Sequence, residues 1–207
     1  MRLILVRHGE SEGNASGVIQ GRMDFDLSST GVRQARATAA HLAAMDVDRI
    51  VTSPLLRAAR TAALIADRLS MTPDPMPDLM EYDMGKASGL TGAQIRAQFP
   101  DVARVAGSGR RSAYPGEEGR ETLHARLRRA LDELSGREGT TIAVAHGGVI
   151  SALCHIVLGV DLHRPGAFHV GNCSLTEVTR DRAGRLVLVR HNDSCHLRGM
   201  ETFADRG

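Results

Sequence analysis

Two histidines in this sequence follow short apolar segments and precede glycines. His8 follows residues 3–6 and Arg7, and His146 follows residues 141–145. A third apolar segment, residues 50–52, leads into Ser53 and then Arg57. An imidazole nitrogen can attack phosphorus, and an arginine side chain binds oxyanions as a bidentate fork. These residue types could therefore bind and transfer a phosphoryl group if the fold brings them together.

The three apolar segments have the pattern of buried strands. Short continuous apolar runs are typical of strands covered on both faces, and the sequence places helical patterns between them. In a parallel sheet the carboxyl ends of the strands meet at one edge, where such folds bind their ligands. We therefore expect the two histidines, the two arginines and the amino ends of at least two helices to converge there. Arginines and helix N-termini together form an anion site, and two nearby cations would lower the pKa of His8 and favour its neutral form.

The helical patterns and their capping residues complete the predicted fold. Ser28, Ser29 or Thr30 can cap a helix that runs to Leu42. Ser53 is predicted to cap the helix of Arg57, with proline at its first position. Further helices are predicted at residues 91–99, 121–134 and 148–158, and a hairpin at 175–179 and 186–189. We expect one domain over residues 1–207, a three-layer α/β/α fold whose mostly parallel sheet has helices on both faces and an antiparallel edge strand. Residues 100–119 should form an excursion on the substrate side.

Composition excludes several classes of protein. The chain has 207 residues, 26 Lys+Arg against 24 Asp+Glu, and a net charge of +2. Near-zero charge with 3% aromatic residues argues against a nucleic-acid groove. No apolar run approaches the roughly 20 residues that span a bilayer, and the first residues lack a signal-peptide pattern. Three cysteines fit reduced thiols. We therefore expect a cytoplasmic protein with no membrane or nucleic-acid partner, acting alone or as a homodimer.

An ordered set of motifs extends over nearly the whole chain and resembles the histidine phosphatase superfamily, also called phosphoglycerate mutase-like. The matching segments are Val6-Arg7-His8-Gly9-Glu10 with Asn14, Gly21-Arg22-Met23-Asp24, Ser53-Pro54-Leu55-Leu56-Arg57, Glu81 with Gly89-Leu90-Thr91, Ala145-His146-Gly147-Gly148, and Asn172 with Ser174. The resemblance is to the phosphatase branch.

That resemblance implies a phosphomonoesterase that acts on a small phosphorylated metabolite and needs neither a metal nor a cofactor. His8 would become phosphohistidine, and Glu81 would protonate the leaving alcohol and then deprotonate water. The implied phosphate-binding residues are Arg7, Asn14, Arg57, His146 and Gly147. Departures from the family pattern at Ala87, Ser88 and Gly119 concern the substrate pocket rather than the reacting groups.

A cofactor-dependent phosphoglycerate mutase is the main alternative. That branch follows its catalytic glutamate with a basic residue, whereas Tyr82 follows Glu81 here. Arg110 and Arg111, however, are similar to an arginine pair that binds the glycerate carboxylate in the mutase. We expect this pair near the mouth of the pocket, where it would favour substrates with a second anionic group.

Two other readings use different residues. Asp24 and Asp26 are spaced as in a metal-dependent aspartyl phosphatase, but no buried strand is predicted before them. A phospholigand-binding protein without activity is disfavoured because the reactive residues are all present.

Asn172 and Ser174 are most simply turn and strand residues, and Arg126, Arg128 and Arg129 should lie on a solvated helix face. Six other histidines show no metal-ligand spacing and are expected to be structural or at the surface: His124, His155, His163, His169, His191 and His196.

Overall fold

A six-stranded sheet organises the fold in a computed structural model that describes residues 1–102, 113–161 and 167–200. The sheet has the order β3-β2-β4-β1-β5-β6. Adjacent strands among β3, β2, β4 and β1 pair in parallel, whereas β5 pairs antiparallel with both β1 and β6. The strands are β1 (Arg2–Arg7), β2 (Arg49–Thr52), β3 (Asp74–Pro75), β4 (Thr140–Ala145), β5 (Leu175–Arg180) and β6 (Leu186–Asp193).

Six helices connect the strands in the described part of the chain. They are α1 (Glu12–Ala15), α2 (Ser29–Leu42), α3 (Leu56–Leu69), α4 (Gly92–Gln98), α5 (Arg120–Ser135) and α6 (Gly147–Leu158). Ser28 caps α2 by accepting a hydrogen bond from the Gly31 N–H, and Thr91 caps α4 with a capping box to Gln94. No helix among the described residues is both long and apolar enough to cross a membrane.

Alternate side chains of β1 contribute to two separate cores, as expected of a strand buried on both faces. Leu3 and Leu5 lie in the core that α5 and α6 cover, and Ile4 and Val6 in the core that α2 and α3 cover. The predicted α/β class, the mostly parallel sheet and the helices on both faces are thereby confirmed. The antiparallel edge is a pair of strands, because β5 and β6 form the predicted hairpin and both join the sheet.

The start of α3 differs from the sequence prediction. This helix begins at Leu56 with Leu55 as its N-cap residue, so the prediction that Ser53 caps it was wrong. Asp24 supplies the cap from a distant loop, since its Oδ1 accepts a 2.9 Å hydrogen bond from the Leu56 N–H. The aspartate that resembles an aspartyl nucleophile thus stabilises a helix N-terminus.

Close backbone packing holds the end of β1 against α2. A Cβ atom on Gly9 would lie 2.6 Å from the Gly31 carbonyl oxygen, and one on Gly31 would collide with the Glu10 carbonyl. Only glycine permits this approach at both positions. The segment that follows β1, which includes His8, is therefore fixed by main-chain contacts.

Candidate active site

The carboxyl ends of β1 and β4 bring His8 and His146 together. The two imidazole rings have centroids 5.2 Å apart and are tilted by 60°. The backbone N–H of His8 donates to the Ala145 carbonyl at 2.9 Å, which continues the pairing of the two strands into the site. Both histidines are buried. The convergence expected from the parallel sheet is thus present in the structure.

One hydrogen bond determines the tautomer of His8. Its Nδ1 lies 2.7 Å from the Gly9 carbonyl oxygen. A carbonyl oxygen can only accept, so Nδ1 carries the proton, and the neutral ring has its lone pair on Nε2. Burial lowers the pKa of His8 well below 6.5, and the charges of Arg7 and Arg57 lower it further. The sequence predicted the effect of the two cations, whereas burial is the larger cause.

Arg57 lies in the first turn of α3 with its guanidinium plane fixed by two main-chain carbonyls. Its Nη1 donates to Met23 and its Nη2 to Gly21, each at 2.8 Å. Its Nε is buried and has no hydrogen-bond partner among the described residues. A guanidinium has five N–H groups, so three stay available for an anion.

Arg7 is held in a similar way at the end of β1. Its Nη1 donates to the Val170 carbonyl at 2.6 Å, and its buried Nε lacks a partner among the described residues. Burial lowers the pKa of both Arg7 and Arg57, and the charge of Glu81 opposes that shift in each. The guanidinium groups of Arg7 and Arg57 are therefore both fixed in orientation close to His8.

Ser53 and Asn172 orient site residues in ways that the sequence analysis missed. The Ser53 Oγ lies 2.8 Å from His146 Nε2, which leaves the buried Nδ1 of His146 without a partner in the described residues. Asn172 Nδ2 donates to the His8 carbonyl at 3.0 Å and to Asn14 Oδ1 at 3.3 Å. The available signals were the position of Ser53 directly after a strand and the place of both residues within motifs of the family.

Asn14 is oriented by donors to its oxygen. Its Oδ1 accepts from the Ser11 N–H at 3.2 Å as well as from Asn172. Because Oδ1 faces these donors, the Nδ2 group of Asn14 is the end that is free to donate to an anion. Asn14 lines the same cavity as His8 and the two arginines.

The Glu81 carboxylate lines the same cavity as His8, Arg7 and Arg57 and is held by two backbone N–H groups. Oε1 accepts from Tyr82 at 2.8 Å and Oε2 from Gly148 at 3.1 Å. A Cβ atom on Gly148 would lie 2.6 Å from Glu81 Oε1, so glycine at this helix start leaves room for the carboxylate. Gly147 precedes it at the first position of α6, beside Arg7.

A cavity of about 280 Å³ joins these groups. Its wall combines the polar residues with apolar and aromatic side chains, namely Val18, Ile19, Tyr82 and Met84. His146 is completely buried beside the cavity and does not line it. Arg110 and Arg111 lie outside the described residues. Within those residues, no cluster of three or more His, Cys, Asp or Glu side chains could hold a metal ion.

Arg126 corrects another sequence prediction, because it is buried rather than on a solvated helix face. It lies on α5 and donates to the Glu81 carbonyl at 3.2 Å and to the carboxylate of Glu118. Burial tends to raise the pKa of Glu118, but hydrogen bonding and charge from Arg126 hold that pKa below its ordinary value. Nothing local distinguishes Arg126 from Arg128 and Arg129, so no sequence signal indicated that Arg126 would be buried.

The two buried histidines predict a loss of stability in acid. Burial is the main reason that the pKa values of His8 and His146 both lie well below 6.5 in the folded protein. Below pH 6.5 the unfolded chain binds these two protons and the folded chain does not. The free energy of unfolding should therefore fall with decreasing pH, at a rate approaching about 2.7 kcal/mol per pH unit from this pair.

Urea denaturation at several pH values between 7 and 5 measures this slope. We expect H8N to lose about half of the pair's contribution, and the variant H169N, at an exposed position, to keep the wild-type slope. Identical slopes for wild type and H8N would contradict a neutral, buried His8.

Comparisons with known proteins agree with this geometry. The model of the histidine phosphatase superfamily (branch 1) matches residues 3–194. The chain is 32% identical over 200 residues to phosphoserine phosphatase 1 of Hydrogenobacter thermophilus, covering 95% of this chain and 94% of that protein. It is 31% identical over 207 residues to a Yersinia enterocolitica protein named as a probable phosphoglycerate mutase, covering 95% of each.

A solved structure extends the likeness to three dimensions. The mycobacterial glucosyl-3-phosphoglycerate phosphatase complexed with VO3 superimposes with a TM-score of 0.84 at 34% identity, covering 93% of this chain and 99% of that chain. The predicted family and the predicted phosphatase class are confirmed by these relatives. From the family match, the relatives and the shared fold, the chain belongs to the histidine phosphatase superfamily, branch 1.

Proposed function

We propose that this protein hydrolyses a small phosphomonoester in two steps with His8 as the nucleophile. The observation that carries the proposal is the neutral imidazole of His8, whose Nδ1 proton is bound to the Gly9 carbonyl and whose Nε2 carries the lone pair. In the first step Nε2 forms a bond to phosphorus while the bond from phosphorus to the alcohol oxygen breaks. In the second step water attacks phosphorus, the P–N bond breaks, and phosphate leaves.

Arg7 and Arg57 would stabilise the charge on the non-bridging oxygens through both steps. Their planes are fixed before substrate binds, so little reorganisation is needed as charge develops. We assign supporting donor roles to Asn14 Nδ2, His146 Nδ1 and the N–H of Gly147 at the start of α6. This donor set supplies positive charge and hydrogen bonds in a site that would work without a metal or other cofactor.

Glu81 is proposed to act as general acid and then as general base. Its carboxyl would give a proton to the leaving alkoxide and later take one from the attacking water. Such proton transfer contributes typically about 10²–10⁴-fold when the leaving group is a poor one. The position of Glu81 on the wall of the cavity that His8 and the two arginines also line supports this role.

The substrate class follows from the site and from the relatives. The similar phosphatases are named for phosphoserine and for glucosyl-3-phosphoglycerate, and both names describe small phosphomonoesters. A mutase is disfavoured because the mutase branch has a basic residue directly after its catalytic glutamate, whereas Tyr82 follows Glu81 here. We further propose that Arg110 and Arg111 bind a second anionic group of the substrate, and that the excursion of residues 100–119 selects it.

Cytoplasmic localisation is part of the same proposal. The protein has three free cysteines, of which Cys154 and Cys173 are buried. Burial raises the pKa of both thiols to about 12, so they stay protonated and unreactive. Free thiols of this kind suit a reducing compartment, where small phosphorylated metabolites are abundant.

A panel of phosphorylated metabolites, run with EDTA and beside a coupled 3-phosphoglycerate mutase assay, tests the function. We expect phosphate release that EDTA leaves unchanged, and no mutase activity of comparable rate. Loss of activity in EDTA would contradict a metal-independent site, and mutase turnover exceeding hydrolysis would contradict the assignment as a phosphatase.

A further inference from the structure

Glu81 lies in a segment with no helix or strand of its own. A single 3₁₀ turn, Pro77–Leu79, precedes it and another, Gly85–Ala87, follows. A general acid must be positioned to within a fraction of an ångström, and sites on irregular segments need other groups to hold them. The contacts that hold this segment therefore bear on the chemistry.

Arg126 reaches this segment from the middle of α5. Its Nη1 donates to the Asp78 carbonyl at 2.6 Å and its Nη2 to the Glu81 carbonyl at 3.2 Å. The guanidinium thus bridges two carbonyls that lie three residues apart, one of them in the proposed general acid itself. Its side chain is 6% exposed, so water competes little for these bonds.

Glu118 fixes both Arg126 and the residues that follow Glu81. Its carboxylate pairs with Arg126 through Nε at 2.5 Å and Nη2 at 2.9 Å. The same carboxylate accepts from the Asp83 N–H at 3.3 Å, and the Glu118 N–H donates to the Asp83 carbonyl at 3.1 Å. Arg22 joins the group through a 3.1 Å ion pair to Glu118 and a 3.3 Å bond from Nε to the Glu81 carbonyl.

We propose that Arg126 and Glu118 are positioning residues that hold the Glu81 carboxylate at the leaving-group side of the cavity. They hold the main chain at residues 78, 81 and 83, so the carboxylate projects from a fixed origin and meets the N–H groups of Tyr82 and Gly148. Neither residue lines the cavity among the described residues, so they act through Glu81 and not on the substrate. This inference rests on the proposed function, in which Glu81 protonates the leaving alcohol.

The dependence of the rate loss on the leaving group distinguishes this positioning role from a merely structural one. A p-nitrophenolate leaves without a proton, whereas an alkoxide does not, so loss of a general acid slows alkyl phosphates selectively. E81Q provides the reference: its kcat/KM should fall much more for glycerol 2-phosphate than for p-nitrophenyl phosphate. The ratio of the two kcat/KM values is the readout for every other variant.

We expect R126M and E118Q to lower kcat/KM for glycerol 2-phosphate by about 10-fold or more, with a change of less than about threefold for p-nitrophenyl phosphate. R128M is the matched control, because Arg128 lies on the same helix with its side chain exposed. It should leave the ratio unchanged. R126K preserves the charge that pairs with Glu118, so it remains measurable if R126M fails to fold, and it should change the ratio in the same direction.

The double variant E81Q/R126K decides whether the effect runs through Glu81. If it does, the ratio for the double variant should equal that for E81Q alone. Additive effects, or equal losses on both substrates in R126K and E118Q, would overturn the positioning role. If E81Q itself slowed both substrates equally, the general-acid role would fail, and with it the proposed function of Glu81.

Discussion

Replacing His8 by alanine is expected to abolish turnover, with kcat falling by at least about 10⁴-fold, because no other described side chain in the cavity offers a neutral, unprotonated imidazole nitrogen. The hydrogen bond of the His8 ring goes to the carbonyl of the next residue, Gly9, so the change breaks no hydrogen bond between distant segments and should affect chemistry more than folding. Steady-state hydrolysis of p-nitrophenyl phosphate measures the loss. H41N, on the outer helix α2, should retain wild-type turnover as the control.

Trapping the intermediate distinguishes a lost nucleophile from a damaged fold. Brief exposure of the wild-type protein to a ³²P-labelled phosphomonoester, followed by a rapid quench, should leave acid-labile label on His8. The H8A protein should carry none while keeping the wild-type melting profile. Label on an aspartate would instead favour the aspartyl phosphatase reading of Asp24 and Asp26.

Removal of Arg57 should have the second largest effect. We expect R57A to lower kcat by about 10²–10³-fold, since its fork is fixed by the carbonyls of Gly21 and Met23 where charge develops. R57K should recover little, because a lysine cannot bond both carbonyls and still present a planar donor set. The guanidinium also joins the 21–23 loop to α3, so some loss of melting temperature should accompany the loss of rate.

Arg60 is the matched control for Arg57. It lies three residues further along α3 with its side chain exposed, so R60A should change neither kcat nor phosphate inhibition. Inhibition by inorganic phosphate should weaken in R57A, because the anion site loses a fork. A folded R57A protein with less than a tenfold loss of kcat would contradict the assignment.

The sequence predicted the framework of the site because the relevant signals are local. Short apolar runs identified β1, β2 and β4, and the parallel arrangement required their ends to meet. His8, His146, Arg7 and Arg57 therefore came together without any knowledge of their contacts. The same argument failed at Ser53, where a serine before proline matched a helix cap but lies against His146.

Contacts between distant segments were beyond sequence reasoning. Arg126 is separated from Glu81 by 45 residues and has the same neighbours in sequence as any arginine on a solvated helix. Asp24 caps α3 across 32 residues, and the motif around it contains no signal for this structural role. Such pairings depend on where helices pack on the sheet, which periodicity does not encode.

By itself, the sequence determined the α/β fold, the family, and the identity of the residues at the ends of the central strands, since strand patterning and short motifs are read within a few residues. The tertiary structure alone decided the protonation of His8, through the Gly9 carbonyl and burial, and the placement of Glu81 by Arg126 and Glu118. These depend on desolvation and on hydrogen-bond geometry between remote segments, which exist only once the chain has packed.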